Sequence, residues 1–166
     1  IECCTLRLSG AWNSSSRRKA HSRKSMGRIV ALDVGRKRTG IAVSDTLHIS
    51  ANALATCATG GLMDFLQTYA AHEPIDAFVV GEPRTEHGAP SEAMVYVRQV
   101  VTQLKKRFPD IPVVLHDERY TSRLAQRTIL EAGIPKMKRR DKALVDRVSA
   151  TILLQSYMEM QDIRKA

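Results

Sequence analysis

Aromatic side chains are scarce in this chain: one Trp, four Tyr and three Phe among 166 residues. So few rings argue against a platform that grips nucleic acid by stacking base after base; any polynucleotide would be recognised through its backbone and shape. Cysteine is scarce too. Cys3, Cys4 and Cys57 are odd in number and lack zinc-knuckle spacing, which speaks against a disulfide framework or a Cys-based metal site and fits a reducing cytoplasm. Cys57 has no His or basic cluster beside it in sequence and reads as a small buried hydrophobe. No window approaches the roughly 20 consecutive apolar residues of a membrane helix, so no membrane partner is expected. Acids are the minority, 17 against 26 Lys and Arg, for a formal net charge of +9. That balance favours a polyanionic partner such as nucleic acid, with a protein that merely has basic ends as the plainer reading.

What is present is enough for one domain: 43% hydrophobic residues over this length give a substantial core, and two domains would be cramped. Residues 1–25 differ from the rest. "NSSSRRKAHSRKS" is rich in Ser and Arg, has no hydrophobic period, and leads to Met26 directly before the first apolar run. Six of the basic residues lie here against one acid, Glu2, so this segment holds more than half of the net charge. It is expected to be a disordered tail or extra sequence before a natural start at Met26, with a nucleic-acid-binding arm or a transit peptide as the other readings. The single folded domain is expected over 26–162.

The order of elements from Met26 is legible. "RIVALDV" (28–34) reads as a buried strand, "TGIAVSD" (39–45) as its neighbour across a Gly-bounded turn, and "HISANALAT" (48–56) as a weaker third strand, an antiparallel meander. The period then changes. "GLMDFLQTYAAHE" predicts a helix, "IDAFVVGEP" a strand, and "PSEAMVYVRQVVTQLKKRF" a long amphipathic helix with Ser91 as cap. "IPVVLHDE" follows as a strand, "TSRLAQRTILEAG" as a helix closed by Gly133, then a basic loop "IPKMKRRDK" and a last helix "ALVDRVSATILLQSYMEM". The expected fold is α/β: a mixed five-stranded sheet with helices on both faces.

Acids interrupt these apolar runs at particular places. Asp33 ends the first strand, Asp117 and Glu118 end the last, and Asp146 lies early in the final helix, on the flank it shares with Ala150 and Leu153. Ser149 and Ala150 are small enough to let that helix approach the sheet. A carboxylate is not expected inside a core unless it is paired or holds a metal. Converging carboxylates without His or Cys are hard oxygen ligands, suited to Mg²⁺ or Mn²⁺, and two such ions can drive phosphodiester hydrolysis. Each acid also has a plainer reading. Asp33 can cap the turn before Gly35, Asp117 or Glu118 can pair with Arg119 or Arg123, and Asp146 can complement its helix N-terminus. Alternation sends Asp117 and Glu118 to opposite faces, and either can be the one that faces the metals.

Four blocks, "ALDVGRKRTGIAVSD", "VVGEPRTEHG", "LHDERYTS" and "KALVDRVSATILLQSYME", resemble in order and spacing the signature blocks of the YqgF family, also called RuvX, over residues 28 to about 160. The resemblance implies a ribonuclease-H-like fold and a metal-dependent nuclease with Asp33, Glu118 and Asp146 as catalytic metal ligands and Asp117 as an uncertain fourth. It implies trimming of the 5′ end of pre-16S rRNA, with four-way DNA junction cleavage as the alternative, by a monomer or a homodimer. Two positions depart from the pattern. Glu82 stands where many members are apolar and His87 where many have Asp, so the role of that loop is open: Glu82 can add a carboxylate near the metals or, the plainer reading, be a solvated loop acid. His116 reads as a satisfied core histidine, and His48 and His72 as surface or turn residues.

Three basic clusters flank the acids: Arg36, Lys37 and Arg38 in the turn after Asp33; Arg119 and Arg123 after Glu118; and Lys136, Lys138, Arg139 and Arg140 before Asp146. They are the candidates for holding phosphates, with scattered surface charge as the plainer account of any single Lys. Gly35 and Gly40 are expected to shape a turn that lets a phosphate backbone come close. The same turn resembles the phosphate loop of actin-like ATPases and sugar kinases, but those need two domains around a cleft. A non-catalytic nucleic-acid-binding module is the remaining alternative.

Overall fold

The computed structural model describes residues 27–83, 92–117 and 141–165. Strands β1 (Arg28–Val34), β2 (Arg38–Ser44), β3 (Ala51–Ala58), β4 (Ile75–Glu82) and β5 (Val113–Asp117) form one sheet in the order β3-β2-β1-β4-β5. The β1-β2 and β2-β3 pairs are antiparallel, and β1-β4 and β4-β5 are parallel. Helices α1 (Leu62–His72), α2 (Met94–Arg107) and α3 (Lys142–Lys165) cover it. The mixed five-stranded sheet read from the sequence is the sheet observed.

Central strand β1 is apolar without alternation because both of its faces are covered. Val30, Leu32 and Val34 join Leu62, Met63 and Leu66 of α1 and Met94, Val97, Val100 and Leu104 of α2 in one core. Ile29 and Ala31 face the other way, into a second core with Ala150, Leu153, Leu154, Tyr157 and Met158 of α3. Those five recur at helical spacing, a single stripe that fixes which side of α3 meets the sheet. Asp141 starts α3, its Oδ1 accepting the Ala143 N–H at 2.9 Å, as an N-cap does.

Two expectations shift. β3 begins at Ala51 rather than His48, because the Asp45 carboxylate captures the backbone N–H groups of Leu47, Ile49 and Ser50 (3.3, 2.7 and 2.9 Å) and His48 takes a positive φ of 56°, a turn that no strand can enter. α2 begins at Met94 with Ala93 at its N-cap position and no side-chain bond there. Its predicted cap, Ser91, lies outside the described residues, as do the helix expected over 121–133 and most of the basic loop after it.

Candidate active site

Asp33 is the next-to-last residue of β1, and alternation puts it on the face of Ile29 and Ala31, towards α3. Its antiparallel register partner is Gly40. A Cβ at Gly40 would collide with the backbone carbonyl oxygen of Asp146, so glycine is what lets the first turns of α3 rest on β2. That close approach brings Asp146 beside Asp33. Ser149, one turn further along α3, hydrogen-bonds the Asp33 carboxylate. The sequence expects Gly40 to let a phosphate backbone come close; instead, the helix fills the space its missing side chain leaves.

The electrostatics follow from this packing. Burial pushes the Asp33 carboxyl up to about 6, the Asp146 charge pushes it the same way, and the Ser149 hydroxyl holds it partly down. Asp146 has its own partner: Arg38 Nε donates to its Oδ2 at 3.0 Å. Of the plainer readings, the helix-dipole one fails for Asp146, since the first turn of α3 holds no acid and Asp141 caps the helix. Asp33 is likewise turned into the sheet-helix interface rather than onto the turn before Gly35.

The basic turn is rigid. The Gly35 N–H donates to the Arg38 carbonyl at 2.9 Å, and a Cβ on Gly35 would lie 2.7 Å from that oxygen. Thr59 ties the turn down, its Oγ1 donating to the Gly35 carbonyl at 2.8 Å and its N–H to the Lys37 carbonyl at 3.1 Å. Arg36 and Lys37 are exposed at the tip. They stand in the turn after Asp33, where the sequence placed them.

β5 separates the remaining candidates. Val113 packs on the α1/α2 core and Val114 on the α3 core, so His116 shares Asp33's face and Asp117 the opposite one. His116 is buried, its Nε2 3.0 Å from Ser156 Oγ and its ring edge-on to Tyr157, and burial lowers its pKa, the satisfied core histidine expected. Glu82 is no loop acid: it ends β4 in register with Asp117, on the α1/α2 face by the parity of Phe78 and Val80. Glu118, Arg119, Arg123, Lys138, Arg139, Arg140 and His87 lie outside the described residues. Among the described residues, no group of three or more His, Cys, Asp or Glu is placed to hold a metal; two carboxylates converge.

Sequence reasoning missed the Arg38–Asp146 pair, the Ser149 bond to Asp33 and the cap at Asp141. Why Gly40 is glycine was not legible either: counting outward from a two-residue loop at Arg36-Lys37 sets Asp33 opposite Gly40, but not the Asp146 carbonyl over it.

A family model described as RuvX, Holliday junction resolvase, matches residues 27–160. The "Putative pre-16S rRNA nuclease" of Porphyromonas gingivalis is 57% identical over 137 residues, covering 82% of this chain and 99% of that protein. The protein of the same name from Bacteroides thetaiotaomicron is 54% identical over 134 residues, covering 81% of this chain and 97% of that protein. The solved structure of T. thermophilus RuvC in complex with Holliday junction substrate is similar with a TM-score of 0.52 at 14% identity, over 81% of this chain and 96% of that one, a likeness of ribonuclease-H-like fold. Acids at the end of β1 and in α3 of such a sheet, and a match over nearly all of the described residues, agree: the chain belongs to the RuvX family of nucleases.

Proposed function

We propose that this chain hydrolyses phosphodiester bonds with the help of divalent metal and that its substrate is the 5′ extension of pre-16S rRNA. The observation that carries the reading is the meeting of Asp33 and Asp146 beside a pinned basic turn. The donor set fits Mg²⁺ or Mn²⁺: hard carboxylate oxygens, one of them desolvated and next to a like charge. Asp33 and Asp146 would hold the metal, two ions in our reading, with Glu118 as the third acid because Asp117 belongs to the other face. When bound, such ions lower the pKa of a water and stabilise the leaving oxygen.

The chain's own residues do the rest. Ser149 fixes the direction of the Asp33 oxygens, and Arg36 and Lys37 neutralise the approaching phosphates from a turn that cannot fold away. Arg119, Arg123, Lys138, Arg139 and Arg140 are proposed to extend that contact. No described helix is long and apolar enough to cross a membrane; we place the activity in the cytoplasm. The names of the relatives favour rRNA, which a monomer can trim. The description of the family model favours a second reading, cleavage of a four-way DNA junction, for which a symmetric dimer is expected.

The deciding experiment offers the full chain a 5′-extended pre-16S fragment and a four-way DNA junction side by side, with Mg²⁺, with Mn²⁺ and with chelator. Metal-dependent cutting of the RNA alone is the expected result; cutting of the junction alone selects the resolvase. Binding without cutting of either overturns the nuclease reading and leaves a binding module.

A further inference from the structure

Arg38 opens β2, on the face of the sheet that carries Gly40 and Ala42, and so points towards α3. Its backbone is fixed, the carbonyl accepting the Gly35 N–H and the residue pairing with Ala58 of β3. The guanidinium meets Asp146 with Nε alone, 3.0 Å from Oδ2, across 108 residues of sequence, and the two side chains stay 43% and 27% exposed.

We infer that Arg38 is a resident counter-ion of Asp146 that gives the carboxylate up to an arriving divalent cation and then binds a substrate phosphate, coupling metal occupancy to nucleic-acid affinity. The inference rests on the nuclease reading above. A guanidinium on Oδ2 and a divalent cation compete for the Asp146 carboxylate, because three positive charges within a few ångströms repel each other. The exposed single-bond ion pair is the weaker partner, so it yields. The freed guanidinium stays anchored at the base of the turn that presents Arg36 and Lys37, and its planar fork of donors matches phosphate oxygens. Before metal arrives, Arg38 is the counter-ion of Asp146; afterwards it adds a third cation to the phosphate-facing edge.

Two measurements on the full chain test this. The first is Mn²⁺ affinity without nucleic acid, by calorimetry, for the unaltered protein and for Arg38→Met. Losing the competitor should tighten Mn²⁺ binding about two- to fivefold. Arg38→Gln, which keeps a polar end without the charge, should move it the same way, and thermal melting shows that each variant is folded. The second is affinity for a labelled 5′-extended pre-16S fragment in chelator. There Arg36→Met should weaken binding, and Arg38→Met should weaken it less, because its guanidinium is tied to Asp146. Mn²⁺ binding that is unchanged or weaker in Arg38→Met overturns the inference and makes Arg38 an orienting residue, with the nuclease reading intact. A loss of RNA affinity in chelator equal to that of Arg36→Met overturns it as well. If the unaltered chain binds no Mn²⁺, both the inference and the metal-dependent reading fall.

Discussion

On the face of β1 that α1 and α2 cover, Val30, Leu32 and Val34 meet Leu, Val, Met and Phe side chains, and the helices stand off at the distance those side chains set. On the face that α3 covers, Ala31, Ala42 and Ala150 are small, Gly40 has no side chain, and the backbone of α3 comes down onto β2. The first face gains from volume, the second from its removal. Only the second can bring two carboxylates together, because a helix held off by large side chains could not set Asp146 beside Asp33. The same strand thus serves stability on one side and chemistry on the other, and neighbouring residues of β1 should fail in opposite ways when altered.

The sharpest break of that comparison is Asp33→Asn against Leu32→Ala. Asp33→Asn should lower cleavage by on the order of a thousandfold, the scale on which removal of one group at a reacting centre is felt, while the protein stays folded. Leu32→Ala, fully buried on the other face, should cost about 2–5 kcal/mol in denaturant unfolding, yet the fraction that remains folded should cut at the normal rate. If Asp33→Asn still cuts, the site is not where we place it.

Stability against pH separates the faces next. The Asp33 carboxyl titrates near 6 in the folded chain and near 3.8 unfolded. The fold therefore prefers it protonated: its contribution is fully present below pH 4, is lost as pH rises through 6, and leaves the ionised fold about 3 kcal/mol worse off by pH 8. In chelator, the stability of Asp33→Asn should gain on that of the unaltered chain between pH 4 and pH 8 by roughly that amount, and saturating Mg²⁺ should close the gap. Parallel unfolding curves across that range would show that Asp33 is not the strained acid described above.

Gly40→Ala tests the close approach itself. The new methyl must push α3 away from β2, at a cost of about 1–3 kcal/mol for overpacking, and Asp146 moves with the helix. Cleavage should fall further than stability predicts, and Mn²⁺ affinity should fall with it. Ala42→Gly, on the same strand and face, changes volume without adding a clash and should spare cleavage.

What could be read in the sequence follows from the same division. Strand positions, sheet direction and the helices around it rest on apolar periodicity, which is local, and they were legible from the runs themselves. Asp33 and Asp146 stood out because each interrupts such a run. The role of Gly40 was hidden because it depends on which strand residue lies under which helical carbonyl, a relation set by register and by a helix more than a hundred residues away. For Arg38 the sequence shows the charge and the neighbours in the turn but not the acid across the interface that holds it. Asp117 is ambiguous in sequence for want of one fact, the face of β5 that packs on α3, and His116 with its Ser156 and Tyr157 contacts supplies it.

That fact leads to the smallest expected effect. Asp117 shares the α1/α2 face with its register partner Glu82, across the sheet from Asp33. Asp117→Asn and Glu82→Gln should each leave cleavage within about twofold of the unaltered chain, because neither acid faces Asp33. Glu118→Gln, the next residue along, should approach the loss seen for Asp33→Asn if it supplies the third carboxylate. Adjacent residues with effects a hundredfold or more apart would show that facing, not proximity in sequence, selects the ligands. A loss in Asp117→Asn as deep as in Asp33→Asn would mean that the end of β5 twists far enough to carry both acids to one side, and the two-face division would hold for β1 alone.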